Sequence, residues 1–166
     1  MKAFEPQVIA LAQALLNRGL KLASAESCTG GLIAAACTSV AGSSDWFERG
    51  FVTYSNESKT EMLGVDARMI GTHGAVSREV AQAMAEGALT HSRADLAVAV
   101  TGIAGPGGAT PGKPVGTVWL AVAQRAGATN TELLMLSGDR AAIREQTVQR
   151  ALACLIARIE PDRRAV

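Results

Sequence analysis

The chain has 166 residues, 48% hydrophobic but only 4% aromatic, and its 16 Lys and Arg against 15 Asp and Glu leave a formal charge of +1. A core drawn from Ala, Val, Leu and Ile suits one domain, residues 1–166, built in the manner of an α/β protein. The near balance of charge excludes the electrostatic footprint of a nucleic-acid or anionic-membrane binder, and the one basic run, Arg163-Arg164, reads as a solvated tail.

Pro6 suits a helix start, and Val8, Ile9, Leu11, Ala12, Leu15 and Leu16 follow at helical spacing until Gly19. A short apolar strand is expected near 20–25, then a helix over about 29–40 ended by Gly42. The stretch from Trp46 to Ser55 places a strand around 50–54. A short helix covers Glu57 to Leu63, and an irregular piece holds His73 and Gly74. Ser77 is an N-cap for a helix through Leu89. Ala94 to Val100, apolar on both faces, is a central strand. A glycine- and proline-dense loop runs from Thr101 to Pro114, followed by strands over Val115–Ala123 and Thr131–Leu136. Asp139 caps a last helix reaching Ile159, with Ile143, Val148, Leu152, Leu155 and Ile156 inward. Early alternation followed by two successive strands predicts a mixed, mostly parallel sheet of about five strands with helices on both faces. The last two strands are joined too tightly for a crossover and so are antiparallel.

Chemistry-bearing residues gather in three stretches. In Ala25-Glu26-Ser27-Cys28-Thr29-Gly30-Gly31 a strand turns into a helix, where unpartnered N–H groups and partial positive charge can present a nucleophile or hold an anion. The plainer reading is that Ser27 or Thr29 caps the helix and the glycines make the turn. Cys28 competes as nucleophile, since a thiol at a helix N-terminus has a lowered pKa. Of the two histidines, His91 sits at a helix end and reads as structural. A Ser-His-Asp triad would have to use His73, and no G-x-S-x-G accompanies it. A serine without histidine needs another base, and lysine is the main alternative. Of Lys2, Lys21, Lys59 and Lys113, Lys59 is best placed, in Tyr54-Ser55-Asn56-Glu57-Ser58-Lys59 after an apolar strand; a surface lysine on a short helix is the plainer alternative. The third stretch, Thr101-Gly102-Ile103-Ala104-Gly105-Pro106-Gly107-Gly108, could form an anion-binding nest, with Lys113 or Arg140 adding charge. Arg140 at a helix start is disfavoured by the dipole and calls for a ligand or a carboxylate.

Cys28, Cys37 and Cys154 are widely spaced without a C-x-x-C, so neither a disulfide framework nor a zinc site is expected, and a reducing cytoplasm fits. No secretory signal is legible at the N-terminus, and no apolar stretch reaches the roughly 18 residues of a membrane span.

In order, S-A-E-S-C-T-G-G (24–31), G-S-S-x-W-F-E-R-G-F-V-T-Y-S-N-E-x-K (42–59), G-A-V-S (74–77), T-G-I-A-G-P-G-G (101–108) and K-P-V-G-T-V-W (113–119) resemble the CinA C-terminal family of nicotinamide-nucleotide amidohydrolases. The similarity runs from about Pro6 to Ile159. The resemblance implies a three-layer α/β/α fold, commonly dimeric, that hydrolyses the carboxamide of nicotinamide mononucleotide in pyridine nucleotide recycling, without metal or cofactor. Carried across, Ser27 is the nucleophile, Lys59 the base and Tyr54 a supporting residue. The substrate-binding set on this reading is Thr29, Gly30, Gly31, Asn56, Thr101, Gly102, Gly105, Gly107, Gly108 and Arg140. Two other readings stand beside it: a non-catalytic nucleotide-binding or regulatory domain linked to competence or DNA damage, and a different amidase or cysteine hydrolase using Cys28.

Overall fold

Small and large apolar residues alternate along the inner strands, and this alternation sets the layers. In β1 (Leu22–Glu26), β3 (Leu96–Gly102) and β4 (Thr117–Gln124), Ala23, Ala25, Ala97, Ala99, Ala121 and Ala123 share one register, and leucines and valines the other. Successive strand side chains point to opposite faces, so the sheet has an alanine face and a branched face. In the computed structural model, which describes residues 2–160, the alanine face packs against α3 (Asn56–Leu63), α4 (Ala67–His73) and α5 (Arg78–Thr90). The branched face packs against α1 (Glu5–Arg18), α2 (Leu32–Cys37) and α6 (Arg140–Ile159). The result is three layers, α/β/α. The Arg163-Arg164 pair lies outside the described residues.

The five strands, completed by β2 (Phe47–Val52) and β5 (Asn130–Met135), are ordered β2-β1-β3-β4-β5. β1 pairs in parallel with β2 and β3, and the β3–β4 and β4–β5 pairs are antiparallel. Four strands therefore run one way and only β4 runs against them. The chain leaves β1 through α2 on the branched face to reach β2 on one side. It then returns through α3, α4 and α5 on the alanine face to β3 on the other side. Connections diverging from β1 open a crevice beyond its carboxyl end, the place where open α/β sheets bind ligands.

Local sequence accounts for the helix boundaries. Ser77 Oγ accepts from Val80 N at 3.3 Å to start α5, and Asp139 Oδ1 accepts from Ala142 N at 2.8 Å to start α6. Gly19 and Gly64 end α1 and α3 in the left-handed region, with φ of 63° and 69°. The structure departs from the sequence expectations in three places. The piece expected to be irregular is helix α4, capped by Asp66, whose Oδ1 accepts from Arg68 N at 2.8 Å. α2 begins only at Leu32, because residues 29–31 form a turn with Gly30 and Gly31 at φ 58° and 98°. β2 spans 47–52 rather than 50–54, so Thr53 and Tyr54 leave the sheet and their carbonyls are free to face the crevice.

α5 packs closely on α3 because position 87 has no side chain: a Cβ there would run into the Leu63 carbonyl oxygen. Alanine at an exposed helix position would gain propensity worth about 1 kcal/mol. Here overpacking outweighs that gain, and Gly87→Ala is expected to lower stability by about 1–3 kcal/mol in urea unfolding; an unchanged or raised midpoint would contradict this account of the contact.

Candidate active site

β1 ends in Glu26, whose side chain is fully buried. Its Oε1 accepts from Ala34 N at 2.8 Å and Ser24 Oγ at 3.2 Å. Its Oε2 accepts from Thr29 Oγ1 at 2.7 Å, Ile33 N at 2.9 Å and Gly31 N at 3.1 Å. The first N–H groups of a helix lack intrahelical partners, and Gly31, the residue before α2, has no side chain to offer them. The carboxylate of the preceding strand supplies that cap, against the positive end of the helix. Neither Ser27 nor Thr29 caps α2, contrary to the plainer reading of the turn. Glu26 was passed over in the sequence. The signal was a lone carboxylate closing an apolar strand just before T-G-G.

The anchored turn presents Ser27, half-buried, beyond the end of β1. Its N–H donates to Val100 O at 3.0 Å and its carbonyl accepts from Gly30 N at 3.0 Å. Lys59 reaches it from α3. Ser55 caps that helix, its Oγ accepting from Ser58 N at 3.1 Å, so Lys59 falls in the second turn and points inward. Its side chain is 1% exposed, against the alternative of a surface lysine. Nζ lies 3.2 Å from Ser27 Oγ, 2.7 Å from Thr53 O, and 3.5 Å from both Tyr54 O and Ser55 O. No carboxylate comes within ion-pair distance of it among the described residues. Burial pulls its pKa below the ordinary lysine range, with Cys28 and Glu57 opposing. A neutral amine has two N–H bonds, which two of these carbonyls can take, leaving its lone pair toward Ser27.

Cys28 is buried beside Ser27, and its pKa is pushed up to about 11, first by that burial and also by the Glu26 charge. The lowered pKa expected of a thiol at a helix N-terminus is therefore reversed. His73 ends α4 near Glu79, with Nδ1 3.8 Å from the carboxylate, and makes no hydrogen bond to Ser27. His91 Nδ1 lies 2.9 Å from Gly87 O at the end of α5.

Tyr54 is 58% exposed, and its hydroxyl accepts from Arg140 Nη2 at 2.9 Å. Arg140 Nη1 donates to Gly105 O at 2.8 Å, so the Ser27 turn, the Tyr54–Lys59 segment, the glycine loop and the start of α6 meet in one place. Thr29 is buried there, with its hydroxyl on Glu26 and its carbonyl accepting from Arg144 Nη2 at 2.9 Å. Arg144 was another residue the sequence reading missed. Its signal was a second arginine one helical turn beyond Arg140.

Other sequence candidates stand further out. Thr101 is buried, with Oγ1 donating to Ala75 O at 2.8 Å and tying the G-A-V-S segment to β3. At Gly102 the backbone packs against Val118 and Thr117, and a Cβ would collide with both. Gly107 and Gly108 lie on the exposed rim of the loop. Asn56 borders a separate hollow of about 300 Å³ between α3 and α4. Lys113 Nζ donates to His73 O at 3.0 Å. A cleft of about 680 Å³ lined by Arg18, Gln124, Glu132, Cys154 and Arg158 lies at the far end of α6 and includes none of the residues around Ser27. Among the described residues no three His, Cys, Asp or Glu side chains come together as a metal-holding group, and no helix is long and apolar enough to cross a membrane.

Residues 5–159 match the family described as the CinA C-terminal domain. A relative in Escherichia coli (strain K12), nicotinamide-nucleotide amidohydrolase PncC, is 54% identical over 143 residues, covering 86% of this chain and 87% of that protein. A CinA-like protein of Akkermansia muciniphila is 58% identical over 142 residues, but the match spans only 34% of its length. Among solved structures, the competence/damage inducible protein CihA from Agrobacterium tumefaciens superposes with a TM-score of 0.91 at 50% identity, covering 93% of this chain and 94% of that one.

Glu26→Gln would turn an amide NH₂ toward donors that now meet an acceptor. With at least one buried N–H left without a partner, the variant is expected to lose about 2–4 kcal/mol of stability in urea unfolding. A loss below about 0.5 kcal/mol would mean that the carboxylate does not hold the turn.

Proposed function

The chain belongs to the CinA C-terminal domain family, and from this premise we propose that it hydrolyses the carboxamide of nicotinamide mononucleotide to nicotinate mononucleotide and ammonia, with Ser27 as nucleophile and Lys59 as base. The observation that carries the proposal is the buried Lys59 Nζ, 3.2 Å from Ser27 Oγ and without a carboxylate partner among the described residues.

In the proposed reaction neutral Lys59 takes the hydroxyl proton as Ser27 Oγ attacks the amide carbon. The oxyanion is met by the Cys28 and Thr29 N–H groups, neither of which has a hydrogen-bond acceptor among the described residues, whereas the Gly30 N–H is held by Ser27 O. Lys59 returns the proton to the amide nitrogen, the C–N bond breaks and ammonia leaves an ester on Ser27. Water, losing a proton to Lys59, then attacks the ester; the acyl C–Oγ bond breaks, Lys59 returns that proton to Ser27 Oγ, and the acid product leaves as its carboxylate. Tyr54 supports the site by holding Arg140, and Arg140 with the Gly105–Gly108 loop faces the ribose or phosphate. Gly31, Thr101 and Gly102 complete the proposed binding set, Thr101 and Gly102 through the backbone they position, whereas Asn56, on the hollow between α3 and α4, falls outside it. The proposed setting is pyridine nucleotide recycling in the cytoplasm, without direct contact to nucleic acid. Leu133 and Met135, exposed on edge strand β5, support a homodimer.

Ammonia release from nicotinamide mononucleotide tests the reaction directly. Ser27→Ala and Lys59→Ala are each expected to lose at least about 10³-fold in kcat, while Cys28→Ala stays within about tenfold. Activity surviving in Ser27→Ala would move the nucleophile elsewhere. A folded wild type that binds the nucleotide and releases nothing would favour the regulatory-domain reading.

The base must be deprotonated, so the rate rises as pH climbs through the Lys59 pKa and is lost as pH falls below it. Burial holds that pKa under the 10.5 of an ordinary lysine. The ascending limb of kcat/KM is therefore expected below this value, and Lys59→Arg, which stays protonated, is expected to abolish the limb with the activity. A limb centred at or above 10.5 would count against a buried lysine base.

A further inference from the structure

The turn from Ser27 to Gly30 closes through a bond from Gly30 N to Ser27 O at 3.0 Å, with Cys28 and Thr29 as its central residues. The peptide between those two carries the Thr29 N–H, one of the proposed oxyanion donors. Type I and type II turns differ by reversal of this central peptide, and the type II form needs a positive φ at the second central residue. Among the described residues Ala126 is the only non-glycine with positive φ, so Thr29 lies outside the type II geometry. A reversal would carry the Thr29 N–H to the other side of the turn.

Two ties oppose that reversal. Thr29 Oγ1 donates to Glu26 Oε2 at 2.7 Å, and Thr29 O accepts from Arg144 Nη2 at 2.9 Å. With side chain and carbonyl both held, the N–H turns away only if one tie breaks. The first belongs to the cap of α2. The second is not demanded by burial, because Thr29 O already accepts from Leu32 N at 3.3 Å. Nor does it satisfy Arg144, whose Nε is buried without a partner and which has no carboxylate within ion-pair distance among the described residues. A buried donor left unpaired in this way calls for a reason other than stability. A guanidinium also bonds a carbonyl more strongly than a neutral donor does. It polarises the Thr29–Gly30 peptide and so strengthens the Gly30 N–H bond that closes the turn on Ser27 O.

We propose that Arg144 is a positioning residue: by holding Thr29 O it keeps the Thr29 N–H aimed at the developing oxyanion, without itself touching the substrate. The proposal rests on the reading of Ser27 as an amidase nucleophile. It assigns Arg144 to the chemical step, reached through the turn, whereas Arg140 one helical turn earlier faces the substrate.

The split between kcat and KM for ammonia release from nicotinamide mononucleotide tests this. Arg144→Gln is expected to lower kcat at least about tenfold while KM stays within about threefold, since the donor is misaimed only where charge develops. Arg144→Lys, which keeps one charged donor, is expected to recover part of that loss. Arg18→Gln, which removes a charge at the other end of the fold, is expected to turn over as the wild type does. Amide NMR reads the turn itself: the Thr29 and Gly30 signals, single in the wild type, are expected to broaden or split in Arg144→Gln while those of α1 stay in place. Thermal unfolding checks that each variant is folded; if Arg144→Gln is not, the same two readouts in Arg144→Lys decide. A kcat within about threefold of wild type, a raised KM at unchanged kcat, or a lowered kcat with the Thr29 and Gly30 signals unmoved overturns the positioning role and leaves the amidase reading intact. A folded wild type that releases no ammonia overturns the amidase reading. The hold on the turn then stands or falls by the NMR signals alone.

Discussion

The site depends on one buried carboxylate. Glu26 receives donors from β1, from the turn and from the first residues of α2, so strand, turn and helix are fixed to one point directly before Ser27. Burying a charge costs several kcal/mol unless it is compensated, and here five donors compensate it. The α2 helix is only six residues long, too short to stand by propensity alone. Its position is set by that cap and by Ile33, Ala36 and Cys37 packed in the core. A serine on a tight turn of small residues would otherwise be free to shift by more than an attack geometry tolerates.

Much of the scaffold was legible because it rests on local pattern. The two-sided apolar strands, the antiparallel last pair and the Ser77 and Asp139 caps follow from periodicity and capping chemistry, and the structure contains them. What was not legible rests on contacts between distant segments. α4 was missed because Gly71 and Thr72 are weak helix formers in a seven-residue segment, while its Asp66 cap was readable. The S-x-T-G-G turn offers Ser27 and Thr29 as equivalent caps, and only the folded turn shows Thr29 bound to Glu26 while Ser27 faces Lys59. Glu26 acts on residues three to eight positions ahead, a range no helical or strand spacing encodes. Lys59 emerged by elimination among four lysines, but its burial depends on Thr53 and Tyr54 leaving the sheet early, which the apolar pattern of 46–55 does not specify.

Cations in this fold are held in two ways, by carboxylates and by neutral oxygens. On the outer surface Arg49 and Arg68 pair with Glu48 and Asp66, contacts worth little in water, while Arg125 and Arg158 bind neutral oxygens. At the crevice Lys59, Arg140 and Arg144 all meet carbonyl and hydroxyl oxygens. Dipoles fix a cationic side chain in place without neutralising it, so the positive potential remains available to a substrate. The diverging connections around β1 bring these three residues together from α3 and α6, the two elements that flank its carboxyl end on opposite faces of the sheet.

The same low-polarity surroundings act with opposite effect on the Cys28 thiol and the Lys59 amine. Removing a group from water disfavours its charged form. For Cys28 that form is the reactive thiolate, and burial with the nearby Glu26 charge raises its pKa to about 11. For Lys59 the charged form is the ammonium, which could not serve as the proposed base, and burial moves its pKa the other way. A mechanism that needs a preformed thiolate is therefore suppressed, while one that starts from a neutral amine and a neutral hydroxyl is favoured, with charge developing only as the C–O bond forms. Placing Ser27 rather than Cys28 toward Nζ adds geometry to that preference. In the proposed mechanism the preference for serine would follow from burial acting with opposite sign on an acid and a base in one environment, and it would hold for any amide substrate that fits the crevice.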